Sequence, residues 1–251
     1  MSLELLNVVA IVWIALSIIS VIILYIDIKF NRPQPMKIMT IAWPINALYF
    51  SVISLVFYFW FGRAPKNLNE KMPEMNMDMH SMGEHHMHSM NAHDMKNMSM
   101  NKAPKLTWKA LFKTGTHCGS GCTLADIVGE VFVLYVPVML FGSMIFGSWA
   151  LDFILALMFG IFFQYLPERE MGLPKMKALK KAIQADTLSV ICWQIGMYIW
   201  MGLVFFYFFS PDIDRMSAIY WFMMQIAMIF GYFTAMPMNA YLIKKGIKHL
   251  M

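Results

Sequence analysis

Apolar residues run along this chain in long blocks. They do not alternate as in a half-buried strand, nor recur every third and fourth position as in a surface helix. A helix that crosses the hydrocarbon core of a bilayer needs about 20 largely apolar residues, and six blocks meet that length. The first runs from Leu5 to Ile26 and stops at Asp27 and Lys29. The second runs from Ile38 to Phe61 with Pro44 in its first turns, and the third from Thr123 to Phe146 with Pro137 near its middle. The fourth is short, Trp149 to Leu166, with Asp152 at one end; the last two run from Leu188 to Phe209 and from Ala218 to Ile243. Trp60, Trp149, Tyr165, Tyr207, Tyr220, Trp221 and Tyr241 fall near block ends, where interfacial aromatic belts are expected. The pattern predicts an all-α polytopic membrane protein, a bundle of about six transmembrane helices in one domain over residues 1–251.

A long polar segment, residues 62–106, interrupts the blocks. Its middle, Lys71 to Met100, has no Leu, Ile, Val, Phe, Trp or Tyr. Such a stretch has too little apolar surface to offset the entropy of ordering, so it is expected to be a disordered loop in the absence of a metal. Lys175 to Asp186 is basic and is expected to lie along the headgroups as a short amphipathic helix.

Composition sharpens this reading. The chain is 59% hydrophobic and 14% charged, with mean hydropathy +0.55. A soluble fold of this size could not cover so much apolar surface. A soluble enzyme and a nucleic-acid-binding domain are therefore excluded. Three cysteines cannot build a disulfide framework. Only Glu4 carries charge ahead of the first block, so that block is read as a retained helix and not as a cleaved signal peptide. The net charge of +5 points to cytoplasmic loops rather than to nucleic acid. Six spans put both termini on one side, and the alternating loops then divide Lys and Arg 16 against 4. The positive-inside rule predicts a multi-pass protein of the bacterial inner membrane, with both termini and the 62–106 loop in the cytoplasm.

Methionine, at 27 residues, is the second departure from ordinary composition. Ten methionines and five histidines crowd into the thirty residues Lys71–Met100, including Met75, Met77, Met79, His80, Met82, His85, His86, Met87, His88 and His93. Thioethers select monovalent copper, and imidazole suits copper, zinc and nickel. His-rich tracts are a compositional sign of metal binding, against the plainer reading of a low-complexity linker.

The stretch Gly115-Thr-His-Cys-Gly-Ser-Gly-Cys122 opens the third block, followed by Asp126 and Glu130. On a helix, Cys118, Cys122, Asp126 and Glu130 share one slowly drifting stripe, with His117 beside the first thiol. The clustered glycines suggest an irregular or half-unwound start. Two thiols and an imidazole suffice for a soft metal, and acids within a span commonly mark ion pathways. The same pair also fits a redox dithiol, although Cys-x-x-x-Cys is one residue longer than the usual redox spacing. Tight glycine packing with incidental cysteines is the third reading. Cys192 is a possible third sulfur or a core residue. Asp152, Gln164, Asp186, Gln194, Gln225 and Asn239 are other polar groups in or beside spans; Gln164 and Asn239 suit interhelical hydrogen bonds, while Asp152 and Asp186 suit helix ends.

These motifs together resemble a bacterial family of small integral-membrane proteins of unknown function. The resemblance rests on Trp43-Pro44 with Ala47-Leu-Tyr49, on Thr116-His-Cys-Gly-Ser-Gly-Cys-Thr-Leu124 with Asp126-Ile127, and on Gly160-Ile-Phe-Phe-Gln-Tyr165. It continues through Ala185-Asp-Thr-Leu-Ser189, Trp193-Gln-Ile-Gly-Met-Tyr198, Phe222-Met-Met-Gln-Ile-Ala-Met228, Pro237 with Asn239, and Gly246-Ile-Lys248. It implies a multi-pass membrane fold and carries no activity with it. In ligand types and spacing alone, His117, Cys118 and Cys122 are also similar to Sco-type copper chaperones. The function expected is Cu(I) binding with transport or resistance: the loop captures the ion, His117, Cys118 and Cys122 receive it, and Asp126 and Glu130 line the way onward. A copper chaperone or exporter would be the partner beyond the lipid bilayer and the metal. The alternatives are a membrane thiol-disulfide oxidoreductase using Cys118 and Cys122, and a non-catalytic assembly factor. The chain carries no nucleotide-binding motif, so no nucleotide cofactor is expected.

Overall fold

The computed structural model describes residues 2–65, 106–209 and 213–248. The chain divides into one unit made of Met1–Ala64 with Leu106–Met251, and a second, Pro65–Lys105. The second lies outside the described residues except for Pro65. So do all ten loop residues singled out above, Met75 through His93, and the expectation of disorder attached to them.

Seven helices make up the first unit, with no strand among the described residues. They are α1 (Leu3–Ile26), α2 (Lys37–Phe50), α3 (Val52–Phe57), α4 (Trp108–Tyr135), α5 (Met144–Glu170), α6 (Lys175–Leu203) and α7 (Ala218–Lys244). Wider π turns extend α1 to Asn31, α3 to Gly62 and α6 to Phe208. Five of the helices are long and apolar enough to cross a membrane: α1, α4, α5, α6 and α7.

The fold is apolar outside and polar inside. Val8, Ile11, Ile18 and Ile22 of α1, Ile154 and Met158 of α5, and Ile195 and Ile199 of α6 are exposed, while Asp126, Asp152, Gln164, Asp186, Gln194 and Asn239 are buried. Lipid in place of water makes this the stable arrangement, because polar groups must find partners within the bundle.

Several boundaries differ from the sequence reading; the fourth block lengthens to Met144–Glu170, which puts Asp152 inside the helix and not at its end. The second block is two helices, broken at Ser51, whose backbone takes φ 52° and ψ −131°. Five long helices therefore replace six. The third helix starts at Trp108, capped by the Thr107 hydroxyl, and the stretch Gly115–Cys122 is regular helix throughout. It ends at Tyr135 because Pro137 forces the preceding Val136 out of helical geometry, to φ −125° and ψ 100°. The basic stretch Lys175–Asp186 is the start of α6, not a separate surface helix. Ala178, Ala182 and Ala185 put small, strongly helix-forming residues on its buried face, while Lys175, Lys177, Lys180 and Lys181 lie off that face. Tyr220 is a core residue and not part of an interfacial belt.

The break at Ser51 folds α2 and α3 into a hairpin. Trp43 packs edge-on against Tyr58 at 5.4 Å between ring centroids. Where the hairpin closes, Arg63 forks onto both carboxylate oxygens of Asp27 at 2.6 and 3.0 Å, and the Tyr58 hydroxyl donates to the same carboxylate at 2.9 Å. Arg32 donates to the Ala64 carbonyl and Gln34 to the Gly62 carbonyl. The chain thus enters and leaves the hairpin at the C-terminal end of α1. Trp108, at the start of α4, packs on Phe61 and Trp60 at this same end. α1 runs alongside α7 in the same direction, with Trp13 against Phe222 and Gln225 donating to Ser17. The N-terminus therefore lies at the end of the bundle that carries Arg215, and Arg63 and Lys248 lie at the other.

Candidate functional site

α4 is the central helix. It packs against α2, α5, α6 and α7, and its buried residues include every position of the predicted stripe: Cys118, Cys122, Asp126 and Glu130, together with His117. Glycine allows this approach. A Cβ on Gly121 would stand 2.9 Å from the Gly160 Cα of α5, so the two backbones touch as small-residue interfaces in membranes do.

Three groups of contacts follow the stripe from one end to the other. At the Lys248 end, the Cys118 thiol donates to Asp186 Oδ1 at 2.8 Å. Lys248 Nζ donates to that same oxygen at 3.0 Å and to Asn239 Oδ1 at 2.8 Å. Ser189 Oγ also donates to Asn239 Oδ1, at 2.8 Å. One turn deeper is Cys122, fully buried. The next turn carries Asp126, whose Oδ1 accepts from Gln194 Nε2 at 3.0 Å while its Oδ2 makes no hydrogen bond of ordinary geometry, with the Trp193 side chain beside the carboxyl. At the Arg215 end, Glu130 Oε2 accepts from Arg215 Nη1 at 3.2 Å, and Arg215 Nη2 donates to Ser148 at 3.2 Å. Asp152 of α5 faces Glu130, and neither of its oxygens has a hydrogen bond of ordinary geometry. It occupies the space left by Gly129, where a Cβ would stand 2.0 Å from Asp152 Oδ1.

From Cys118 to Glu130 the stripe covers about 18 Å, at 1.5 Å per helical residue. Polar and ionisable groups therefore line most of one membrane-length face, closed by a cation at each end. Asp126, Glu130 and Asp152 bring three carboxyls to a region with one guanidinium. Unpaired charge is costly in an apolar interior. Arg215 offsets one negative charge, and ionising the other two carboxyls would require further positive charge beside them.

His117 is fully buried, and neither ring nitrogen makes a hydrogen bond of ordinary geometry, with the Phe163 backbone beside it. Among the described residues, no group of three or more His, Cys, Asp and Glu side chains is arranged to hold a metal ion. The two thiols are free. On a continuous helix, residues four apart have Cβ atoms about 5–6 Å apart, whereas a disulfide requires about 3.5–4.5 Å. The redox reading would thus require α4 to unwind. Cys192 is half-buried on α6, and Met197, Met201, Met224 and Met228 are packed in the hydrophobic core.

The sequence does not group Asp152, Asp186, Gln194, Arg215, Asn239 or Lys248 with the site. Asp186 was read as interfacial, because α6 was expected to begin after it. Asn239 was assigned only to helix pairing. Lys248 and Arg215 were counted as loop charges. The signals were present: an acid between Ala185 and Thr187 just ahead of the apolar run from Leu188, and Gly246 two residues ahead of a lysine.

An all-helical bundle with five membrane-length apolar helices and a buried polar face defines the class. The chain matches the family described as Domain of unknown function (DUF4396) over residues 107–248, more than half of its length, and belongs to that family. The match covers α4 to Lys248 and leaves α1–α3, with Trp43-Pro44, outside it. No curated protein and no solved structure matches the chain.

Proposed function

We propose that this protein carries a soft monovalent cation, Cu(I), across a bacterial inner membrane, in transport or resistance. The observation that carries the reading is the buried polar face of α4, which connects Lys248 at one end of the bundle to Arg215 at the other through Cys118, Cys122, Asp126 and Glu130. Its two sulfurs suit a soft ion, and its acids suit the passage of positive charge. The Met/His-rich segment supplies thioether and imidazole ligands to gather the ion before it reaches His117, Cys118 and Cys122. Without a nucleotide-binding motif, movement is passive, coupled to another ion, or driven by a partner such as a copper chaperone or exporter.

The proposed orientation takes each of the five membrane-length helices as one crossing. An odd number would put the termini on opposite sides, where six would put them on the same side. Among the described residues, every Lys and Arg except Arg215 lies in or beside a segment at the Arg63 end. That end, with the 62–106 loop and the C-terminus, is cytoplasmic by the positive-inside rule, and the N-terminus is not.

The test is uptake of Ag(I), a redox-inert stand-in for Cu(I), into vesicles reconstituted with the full-length protein. C118S/C122S should lower the rate at least tenfold. Replacing His85, His86 and His88 with Ser should raise the half-saturating concentration and leave the maximal rate unchanged. Uptake indifferent to both sets of changes would overturn the reading.

A further inference from the structure

Lys248 is four residues beyond α7, yet its side chain is fully buried. The turn that carries it explains how. Gly246 takes φ +70°, a left-handed conformation that glycine adopts at little cost. The N–H groups of Gly246 and Ile247 close back onto Ile243 and Leu242, the hydrogen-bond pattern of a helix C-cap with a left-handed residue. The Lys248 N–H also reaches the Leu242 carbonyl, at 3.3 Å. The chain therefore reverses as soon as α7 ends, and the lysine points back into the bundle.

The ammonium arrives among acceptors. Asp186 Oδ1 and Asn239 Oδ1 receive its protons, and Cys118 donates to the same Asp186 oxygen. Asp186 Oδ2 has no hydrogen-bond partner, although it is buried. Gly160 opposite is empty of side chain, and a Cβ there would stand 2.5 Å from Asp186 Oδ2. His117, with both nitrogens unsatisfied, has Lys248 and Asp186 as its charged neighbours. Lys248 Nζ pairs with the Asp186 carboxylate at 3.0 Å and donates a second bond to Asn239 at 2.8 Å, the contacts of a seated ammonium. A carboxylate, an amide oxygen, a thiol and an unsatisfied imidazole are thus gathered around one positive charge that the chain itself supplies.

We propose that Asp186, Asn239, Cys118 and His117 form a binding site for a monovalent cation, and that Lys248 occupies it as a tethered plug which the incoming ion displaces. The inference rests on the transport reading and adds the place where the ion first binds, at the cytoplasmic end of the α4 face. It also accounts for the absence, among the described residues, of a metal-ready trio. With the ammonium seated, the donors surround an N–H group and are not drawn together onto a metal. Displacement moves one charge out as another moves in, and as the Cys118 sulfur takes the ion its proton passes to Asp186 Oδ1, the acceptor it already faces. Cu(I) is the ion that Cys118 and His117 favour, and K⁺ or Na⁺ would engage only the oxygens.

Two measurements on the full-length protein test this. The first is the half-saturating Ag(I) concentration for uptake into reconstituted vesicles. K248Q removes the competing charge and should lower it at least tenfold, and D186N should raise it by a similar factor. The second is acylation of the Lys248 amine by a water-soluble ester, read by mass spectrometry on the wild-type protein, which avoids any folding defect in a variant. Lys248 should be protected without Ag(I) and should react as Ag(I) approaches saturation. Uptake with the same half-saturation in K248Q as in wild type, or Lys248 still protected at saturating Ag(I), overturns the plug. If neither protein carries Ag(I) at all, the transport reading fails, and labelling still decides whether an ion displaces the lysine.

Discussion

Gly160 holds no side chain because Asp186 and Val190 already occupy that space. A Cβ would stand 2.5 Å from the carboxylate and 2.9 Å from the valine methyl. The same position touches Gly121 across the α4–α5 contact, so one residue serves both the close helix approach and the seating of a buried acid. G160A should therefore cost about 1–3 kcal/mol, the usual penalty for overpacking. The check is the thermal unfolding midpoint of the purified protein in detergent. An unchanged midpoint would mean that Asp186 and Val190 can move aside, and that the carboxylate is held less firmly than its contacts suggest. The residue scale is also where sequence reasoning found the stripe but not its partners. Cys118, Cys122, Asp126 and Glu130 could be grouped because they lie on one helix, where spacing sets direction. Asp186 meets Cys118 from α6, and Lys248 and Asn239 join Asp186 from α7 and the turn beyond it, so no spacing rule connects them.

At the scale of the element, the decisive feature is Ser51. Its φ of 52° and ψ of −131° belong to a reversal that glycine adopts with ease, and its buried hydroxyl has no hydrogen-bond partner to offset the strain. S51G should keep the hairpin and raise stability by about 1 kcal/mol. S51V, with a branched Cβ and no freedom at positive φ, should lower it by more. Unfolding midpoints ordered glycine, serine, valine from highest to lowest support this, and any other order counts against it. Serine is why the break was not legible in the sequence. Neither Gly nor Pro stands at the reversal, and Pro44, which does interrupt the block, lies inside α2 without ending it. The start of α4 was hidden for the opposite reason. Thr114 to Cys122 is polar and glycine-rich, so hydropathy reads it as lying outside the membrane. In the bundle that stretch faces other helices, which satisfy it. The long outer faces of α1, α5 and α7 meet lipid and were legible at once, because there hydropathy and environment agree.

The whole molecule is set by what the hairpin does to the count of crossings. A single helix over Ile38–Phe61 would return the chain to the side where it began. Two short helices, of 14 residues and of 6 with a π turn, leave it on the side it had reached. The clamp of Asp27 on Arg63 and Tyr58 fixes the two ends of the excursion together. Everything after α3 keeps its alternation, so the consequence falls on the N-terminus alone. The charge distribution then becomes nearly one-sided, and the exception, Arg215, is held by Glu130 and Ser148 inside the bundle instead of lying free in a loop. A cysteine introduced at Ser2 should therefore react with a membrane-impermeant maleimide in intact cells, after the outer membrane is made permeable. A cysteine at Lys245, exposed just beyond α7, should react only after the inner membrane is opened. The native thiols interfere little, since Cys118 and Cys122 are buried and Cys192 is half-buried. Labelling of both positions from the same side would restore an even number of crossings. It would mean that α2 and α3 cross as one helix in the membrane, and that the Asp27–Arg63 clamp does not close there.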